Sequence, residues 1–169
     1  MKNILLIGCG HMGGSLMSGW SNFKNYTISV IDKKKYSILK KRNRNKKIKF
    51  FKSIDDIDNQ NNLDYIIFAT RPLELTNVFK ELKNANFNKK SIAISVIAGK
   101  KTEIFKKNLL NISKIVRVMP NMPALIGEGV HCIYTNKSIN KKEIKEIEDR
   151  KSTRLNSSHS QQSRMPSSA

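Results

Sequence analysis

Three glycines near the amino terminus, Gly8, Gly10 and Gly13, stand in GxGxxG spacing inside the stretch NILLIGCGHMGGSLMSGW, residues 3–20. Glycine at the first position permits a tight turn. At the second it lets backbone approach a ligand with no Cβ in the way, and at the third it lets a following helix pack close to a strand. With Cys9, His11 and Met12 these residues form a loop at a helix N-terminus, whose N–H groups and positive dipole end suit the pyrophosphate of a dinucleotide. Asp32 lies about 20 residues beyond the loop, where an acidic side chain can hold a ribose 2′-hydroxyl. Lys33, Lys34 and Lys35 follow at once and would suit a 2′-phosphate instead, so spacing alone leaves the choice open between NAD and NADP. The alternative for all four is to cap or solvate the next helix. A third group, Ala69, Thr70, Arg71 and Pro72, follows the apolar run DYIIFA. Arg71 could equally be a surface charge.

These groups need elements to hold them. Ile4, Leu5, Leu6 and Ile7 form an apolar run too short for a free helix and bounded by glycine, which predicts a buried strand. The pattern then predicts a helix over 12–21, a strand over Tyr26–Ile31, a helix over 33–41 and a short strand over 47–51. Ser53, Asp55 and Asp56 read as a capped helical turn, and 59–62 as a loop. A strand over 64–69 precedes a helix from Pro72 to about 83, since proline suits a first helical turn. Further strands are predicted over 91–96, 114–119 and 130–134, with helices over 102–110 and from about 138. Pro120, Asn121, Met122 and Pro123 should form a rigid extended segment. Strands alternating with helices predict an α/β fold: a Rossmann-like, doubly wound, mostly parallel sheet with helices on both faces. In such sheets ligands bind outside the carboxyl ends of the strands, which is where the Ala69 group falls.

The 169 residues suffice for one domain with a real core. No export signal or membrane-length apolar run is visible, so a cytoplasmic protein with no membrane partner is expected. Cys9 and Cys132 suit a reducing compartment, with no disulfide and no metal expected. Lysine and arginine number 32 against 13 acidic residues, a formal charge of +19. Much of this lies in KKKYSILKKRNRNKKIK, residues 33–49, where Tyr36 is the one aromatic, a poor platform for stacked bases. The abundance of Lys, Asn and Ile looks like AT-rich codon usage on a tolerant surface, and no specific nucleic-acid partner is expected.

Several stretches together resemble pyrroline-5-carboxylate reductase: GCGHMGGS, FATRP, SVIAG and, most specifically, RVMPNMPALIGEGV. The resemblance covers residues 1–148, which it implies are an amino-terminal NAD(P)-binding domain. It implies hydride transfer from NADPH or NADH to the C=N carbon of the cyclic imine 1-pyrroline-5-carboxylate, giving L-proline. Carried onto matching positions, Gly8, Cys9, Gly10, His11 and Met12 would hold the pyrophosphate. Ala69, Thr70, Arg71 and Pro72 would border the ribose and nicotinamide, and Ala98, Gly99 and Asn121 would lie near the nicotinamide and the imine. The family usually has lysine where this chain has Arg71, which keeps charge but not a point contact. NADPH is favoured because the family commonly uses it and three lysines follow Asp32. Its members continue into a helical domain that dimerises and closes over the imine, and nothing in this sequence resembles that domain. No convincing general acid is visible either: His11 sits in the glycine loop and His131 in a strand. The expectation is a piece that binds cofactor yet turns over imine negligibly, from a protein that is a homo-oligomer at full length.

Residues 149–169, DRKSTRLNSSHSQQSRMPSSA, have no apolar periodicity and read as disordered. They also resemble one reading frame of a common short-read sequencing adapter, and are therefore expected to be a non-native tail. Arg150, Lys151, Arg154 and Arg164 against Asp149 give it a net +3, leaving +16 for the rest. The competing expectations are a stand-alone NAD(P)-binding module without catalysis and another Rossmann oxidoreductase, such as a 3-hydroxyacid or prephenate dehydrogenase. PNMPALIGEG counts against the second.

Overall fold

A computed structural model of the chain describes residues 1–21, 23–120, 131–136 and 138–149. Among them, seven strands form one sheet: β1 (Lys2–Ile7), β2 (Tyr26–Ile31), β3 (Ile48–Phe51), β4 (Tyr65–Phe68), β5 (Ile92–Ser95), β6 (Lys114–Pro120) and β7 (His131–Thr135). Five helices accompany them: α1 (His11–Ser21), α2 (Tyr36–Arg42), α3 (Leu75–Glu81), α4 (Thr102–Asn108) and α5 (Lys141–Asp149). The strand order is β3-β2-β1-β4-β5-β6-β7. The first six strands pair in parallel, and β7 returns antiparallel to β6 with Tyr134 opposite Arg117. The sheet grows outward from β1 in one direction through β2 and β3, then restarts on its other flank with β4. Ile4 accordingly faces Ile28 on one side and Tyr65 on the other. Such a reversal opens a crevice at the carboxyl ends of β1 and β4.

Strands covered on both faces must be apolar at successive positions, and these are. Leu5, Ile7, Ile66 and Phe68 point into one core layer, with Leu75 and Phe79 of α3 and Phe105 of α4. Ile4, Leu6, Val30 and Ile67 point into the other, against Leu16 and Met17 of α1 and Ile147 of α5. Phe68, Phe79 and Phe105 meet edge-on or tilted, with ring centroids 5.1–6.0 Å apart. This cluster fixes the end of β4, one residue before Ala69.

The helix boundaries differ from the sequence reading for local reasons. The helix expected over 33–41 begins at Tyr36, because an Asp32 carboxylate oxygen accepts the Lys35 N–H at 2.9 Å and holds residues 33–35 in a turn. Pro72 lies in a turn before α3, closed by the Glu74 N–H donating to the Arg71 carbonyl at 3.0 Å. The loop expected over 59–62 holds one 3-10 turn, Gln60–Asn62. The capped turn at Ser53 is present. Asp55 N–H donates to the Ser53 hydroxyl, and Asp56 accepts the Ser53 N–H at 3.0 Å. Helix α5 starts at Lys141 rather than near 138, behind Asn140 and Glu143, which cap each other's backbone N–H groups. It ends at Asp149, the residue at which the tail was expected to begin. The last strand, expected over 130–134, is His131–Thr135. Residues 121–123 of the extended proline segment and residues 150–169 of the tail lie outside the described residues.

Candidate functional site

The glycine loop is stitched into the end of the sheet from both flanks. The Gly8 N–H donates to the Ile31 carbonyl at 2.9 Å and the Ala69 N–H to the Ile7 carbonyl at 2.8 Å, so the ends of β2 and β4 grip the end of β1. Each glycine of the motif then meets a different environment. Gly8 has φ +91°, and a Cβ there would stand 2.8 Å from both the Ala69 carbonyl oxygen and Thr70 Cγ2. A Cβ on Gly13 would stand 2.1 Å from the Gly8 carbonyl oxygen and 3.3 Å from the Ala69 Cβ. Helix α1 therefore packs directly on the turn. At Gly10, no described heavy atom lies within 4 Å of the place a Cβ would take. The first intrahelical bond runs from the Gly14 N–H to the Gly10 carbonyl at 2.8 Å, and the N–H groups of the turn before it have no intrahelical acceptor. The two groups singled out in the sequence, Gly8 to Gly13 and Ala69 with Thr70, thus meet across β1 and β4.

Asp32 works inside the protein. One carboxylate oxygen accepts the Cys9 N–H at 2.8 Å and the other the Lys35 N–H, while Lys35 Nζ donates to the Cys9 carbonyl at 3.1 Å. The loop after β2 therefore clamps the middle of the glycine loop. Burial, reinforced by the Asp32 carboxylate and opposed by the Lys35 ammonium, pushes the Cys9 thiol up from its ordinary value. It is held as a thiol, a small buried filler rather than a nucleophile. Lys33 and Lys34 reach outward and pair with Glu81 at the end of α3 and Glu74 just before its start, each at 2.7 Å.

Thr70 is partly buried, and its hydroxyl oxygen is fully enclosed with no hydrogen-bond partner. A buried hydroxyl left unpaired is unusual enough to need a reason. Arg71 and Pro72 are exposed beside it. Ala98 and Gly99 lie exposed after β5, with Gly99 at φ +71° and the Ser95 hydroxyl accepting the Ile97 N–H at 3.3 Å just before them. No described heavy atom lies within 4 Å of the place a Cβ on Gly99 would take, and Asn121 is outside the described residues. Among the described residues, no group of three or more His, Cys, Asp or Glu side chains could hold a metal ion, and no helix is long and apolar enough to cross a membrane. The sequence reading missed the Asp32–Cys9 clamp and the two lysine–glutamate pairs. The trace of the pairs in the sequence is the density of cations after β2.

Strand order, the reversal at β1 and the glycine turn packed beneath α1 define a Rossmann-like α/β protein. Residues 3–99 match the family described as NADP oxidoreductase coenzyme F420-dependent, and the chain belongs to that family. Pyrroline-5-carboxylate reductase of Haemophilus influenzae is 30% identical over 143 residues, covering 81% of this chain and 49% of that protein. The solved pyrroline-5-carboxylate reductase of Coxiella burnetii is 25% identical with a TM-score of 0.74, over 89% of this chain and 55% of that one. The NADP-bound pyrroline carboxylate reductase of Plasmodium falciparum, at 23% identity and a TM-score of 0.66 over 88% and 53%, shares the fold. The chain spans about half the length of the curated relatives it matches.

Proposed function

We propose that this chain is the NAD(P)-binding domain of a pyrroline-5-carboxylate reductase and takes NADPH, with NADH as the alternative. The observation that carries the reading is the open space at Gly10 between two glycines whose own Cβ positions are blocked. Packing explains Gly8 and Gly13, whereas Gly10 is explained by a ligand that must approach the backbone closely. The side chain of Thr70, whose hydroxyl is unpartnered, bounds Gly8 of the same loop. When bound, the reduced nicotinamide supplies the hydride for the C=N carbon of the cyclic imine.

The roles of this chain's own residues follow from their positions. The N–H groups of the Gly10, His11 and Met12 turn hold the pyrophosphate, helped by the α1 dipole, with Cys9 of the same loop fastened to Asp32 through its own N–H. Asp32 keeps that turn in shape, with Lys33 beside it at the ribose end. Ala69, Thr70, Arg71 and Pro72 border the ribose and nicotinamide. Ala98, Gly99 and Asn121 are assigned near the nicotinamide and imine by the family resemblance. Positioning of the imine belongs to the half of the relatives that this chain does not match. Residues 1–148 make up the binding domain, and 149–169 are a non-native tail, which reading the gene past the Glu148 codon tests. A cytoplasmic location, no membrane or specific nucleic-acid partner, and a homo-oligomer at full length belong to the same reading. A binding module without chemistry is the second reading, supported by the Cys9 thiol being held protonated in the loop.

Titration with NADPH and NADH at fixed salt, followed by Trp20 fluorescence, tests the site. Saturable binding is expected. Gly10→Val should keep the helical signal of the wild type, because its side chain enters open space, while weakening binding by about 1–3 kcal/mol, the range for a steric intrusion. Undiminished binding by that variant overturns the reading and points to general attraction by a basic surface.

A further inference from the structure

The lysines after β2 are already occupied by anions from the opposite bank of the crevice. Lys34 Nζ donates to Glu74 Oε1 and Lys33 Nζ to Glu81 Oε1, so the pairs tie the loop after β2 to the turn before α3 and to the last residue of α3. Both pairs are solvent-accessible: Lys34 and Glu74 are 79% and 38% exposed, Lys33 and Glu81 58% and 37%. Pairs of this kind contribute little and exchange readily. Asp32, by contrast, accepts a backbone N–H at each carboxylate oxygen, which ties it to the glycine loop on one side and to the turn before α2 on the other.

We propose that Glu74 and Glu81 stand in for the 2′-phosphate of NADPH, competing with it for Lys34 and Lys33 and so setting the preference between NADPH and NADH. The inference rests on the dinucleotide reading above and extends it to a specificity device. A phosphate carries more charge and more acceptor oxygens than a carboxylate, so it can displace the glutamates from the ammonium groups. NADH has a hydroxyl at that position and leaves both pairs intact. The glutamates oppose NADPH by holding its cations, and they keep the lysines from acting as an indiscriminate anion trap. The hydrogen bond from the Lys34 ammonium holds the Glu74 carboxyl below its usual range.

The test is the dissociation constant of NADPH and of NADH, measured by titration at matched ionic strength for the wild type and five variants. Glu74→Gln and Glu81→Gln should each tighten NADPH by about two- to fivefold, the reach of an exposed pair, while leaving NADH within twofold. Lys34→Met should weaken NADPH by about tenfold and spare NADH. Glu103→Gln, an exposed change on α4 with the same effect on net charge, should leave the NADPH-to-NADH ratio unaltered. Raising the salt should narrow the difference between wild type and the two glutamine variants. If both glutamine variants leave the ratio unchanged, or tighten the two dinucleotides equally, the exchange is wrong while the dinucleotide site stands. If the wild type saturates with neither, or binds undiminished as Gly10→Val, the site itself falls and the exchange with it.

Discussion

The floor of the crevice and its rim are built from opposite kinds of interaction. The floor is tightly held backbone: Gly13 over the Gly8 carbonyl, Gly8 under Ala69, and the Cys9 N–H on the Asp32 carboxylate from the loop after β2. The rim is made of exposed lysine–glutamate pairs between long side chains. Groups packed at van der Waals limits have one arrangement, and changing them costs the arrangement. Exposed pairs are worth a few tenths to about 1 kcal/mol and can be remade with a different anion. Under the function proposed above, the difference separates two properties of the site: the floor decides whether a dinucleotide binds, and the rim which one.

The comparison breaks most sharply within α1. Gly13→Ala places a methyl where the Gly8 carbonyl oxygen would be 2.1 Å away, and backbone cannot move aside as a flexible side chain would. Overpacking of this kind typically costs about 1–3 kcal/mol and occasionally more, and with backbone as the obstacle the upper end is expected. Gly14→Ala, one residue along the same helix, meets no described atom within 4 Å and should stabilise by about 0.5–1 kcal/mol through helix propensity alone. Urea unfolding of the two variants checks this. Equal midpoints would mean that the floor is not packed as described.

Asp32→Ala should have the next largest effect. It leaves the Cys9 and Lys35 N–H groups without their acceptor, a loss of about 1–3 kcal/mol where the donor is buried. Because the clamp shapes the turn beneath the pyrophosphate, NADPH and NADH should weaken by the same factor. If NADH alone weakens, Asp32 holds the ribose hydroxyl directly and the boundary between floor and rim has been drawn in the wrong place.

How far each region was legible in the sequence follows the same division. The floor was legible, because glycine spacing after an apolar run encodes a turn, and Tyr26–Ile31 reads as a strand from its alternation and β-branched content. The start of α2 was not. Asp32 was visible at the right distance, but its bond to the Lys35 N–H, which delays the helix to Tyr36, depends on where the carboxylate points. The rim was illegible for a plainer reason. Its partners are 48 and 40 residues apart in the chain, and no periodicity links the lysines after β2 to glutamates at the two ends of α3. A run of three lysines shows that charge is present. Only the fold shows what neutralises it.

The smallest expected effect lies at the far end of the sheet, where α5 is fastened by a pair less exposed than those of the rim. Lys114 at the start of β6 donates to Glu143, whose side chain is 18% exposed, and the other Glu143 oxygen accepts the Asn140 N–H at 3.1 Å. The hydrogen bond from Lys114, with smaller help from the Asn140 N–H, holds the Glu143 carboxyl below its usual range against the opposing effect of burial. A carboxyl lowered in the folded state contributes stability that is fully present above its unfolded pKa. That contribution is lost as the pH falls through the folded value, so acid should loosen α5 from the sheet before the central strands respond. The loss should stay below about 1 kcal/mol, the scale of a helix cap or a single ion pair. Glu143→Gln removes the titration while keeping an acceptor. Its unfolding free energy should therefore fall less steeply with acid than that of the wild type, and amide exchange in Lys141–Asp149 should lose its acid sensitivity. Identical acid slopes for the two proteins would show that Glu143 is as loosely held as the glutamates of the rim.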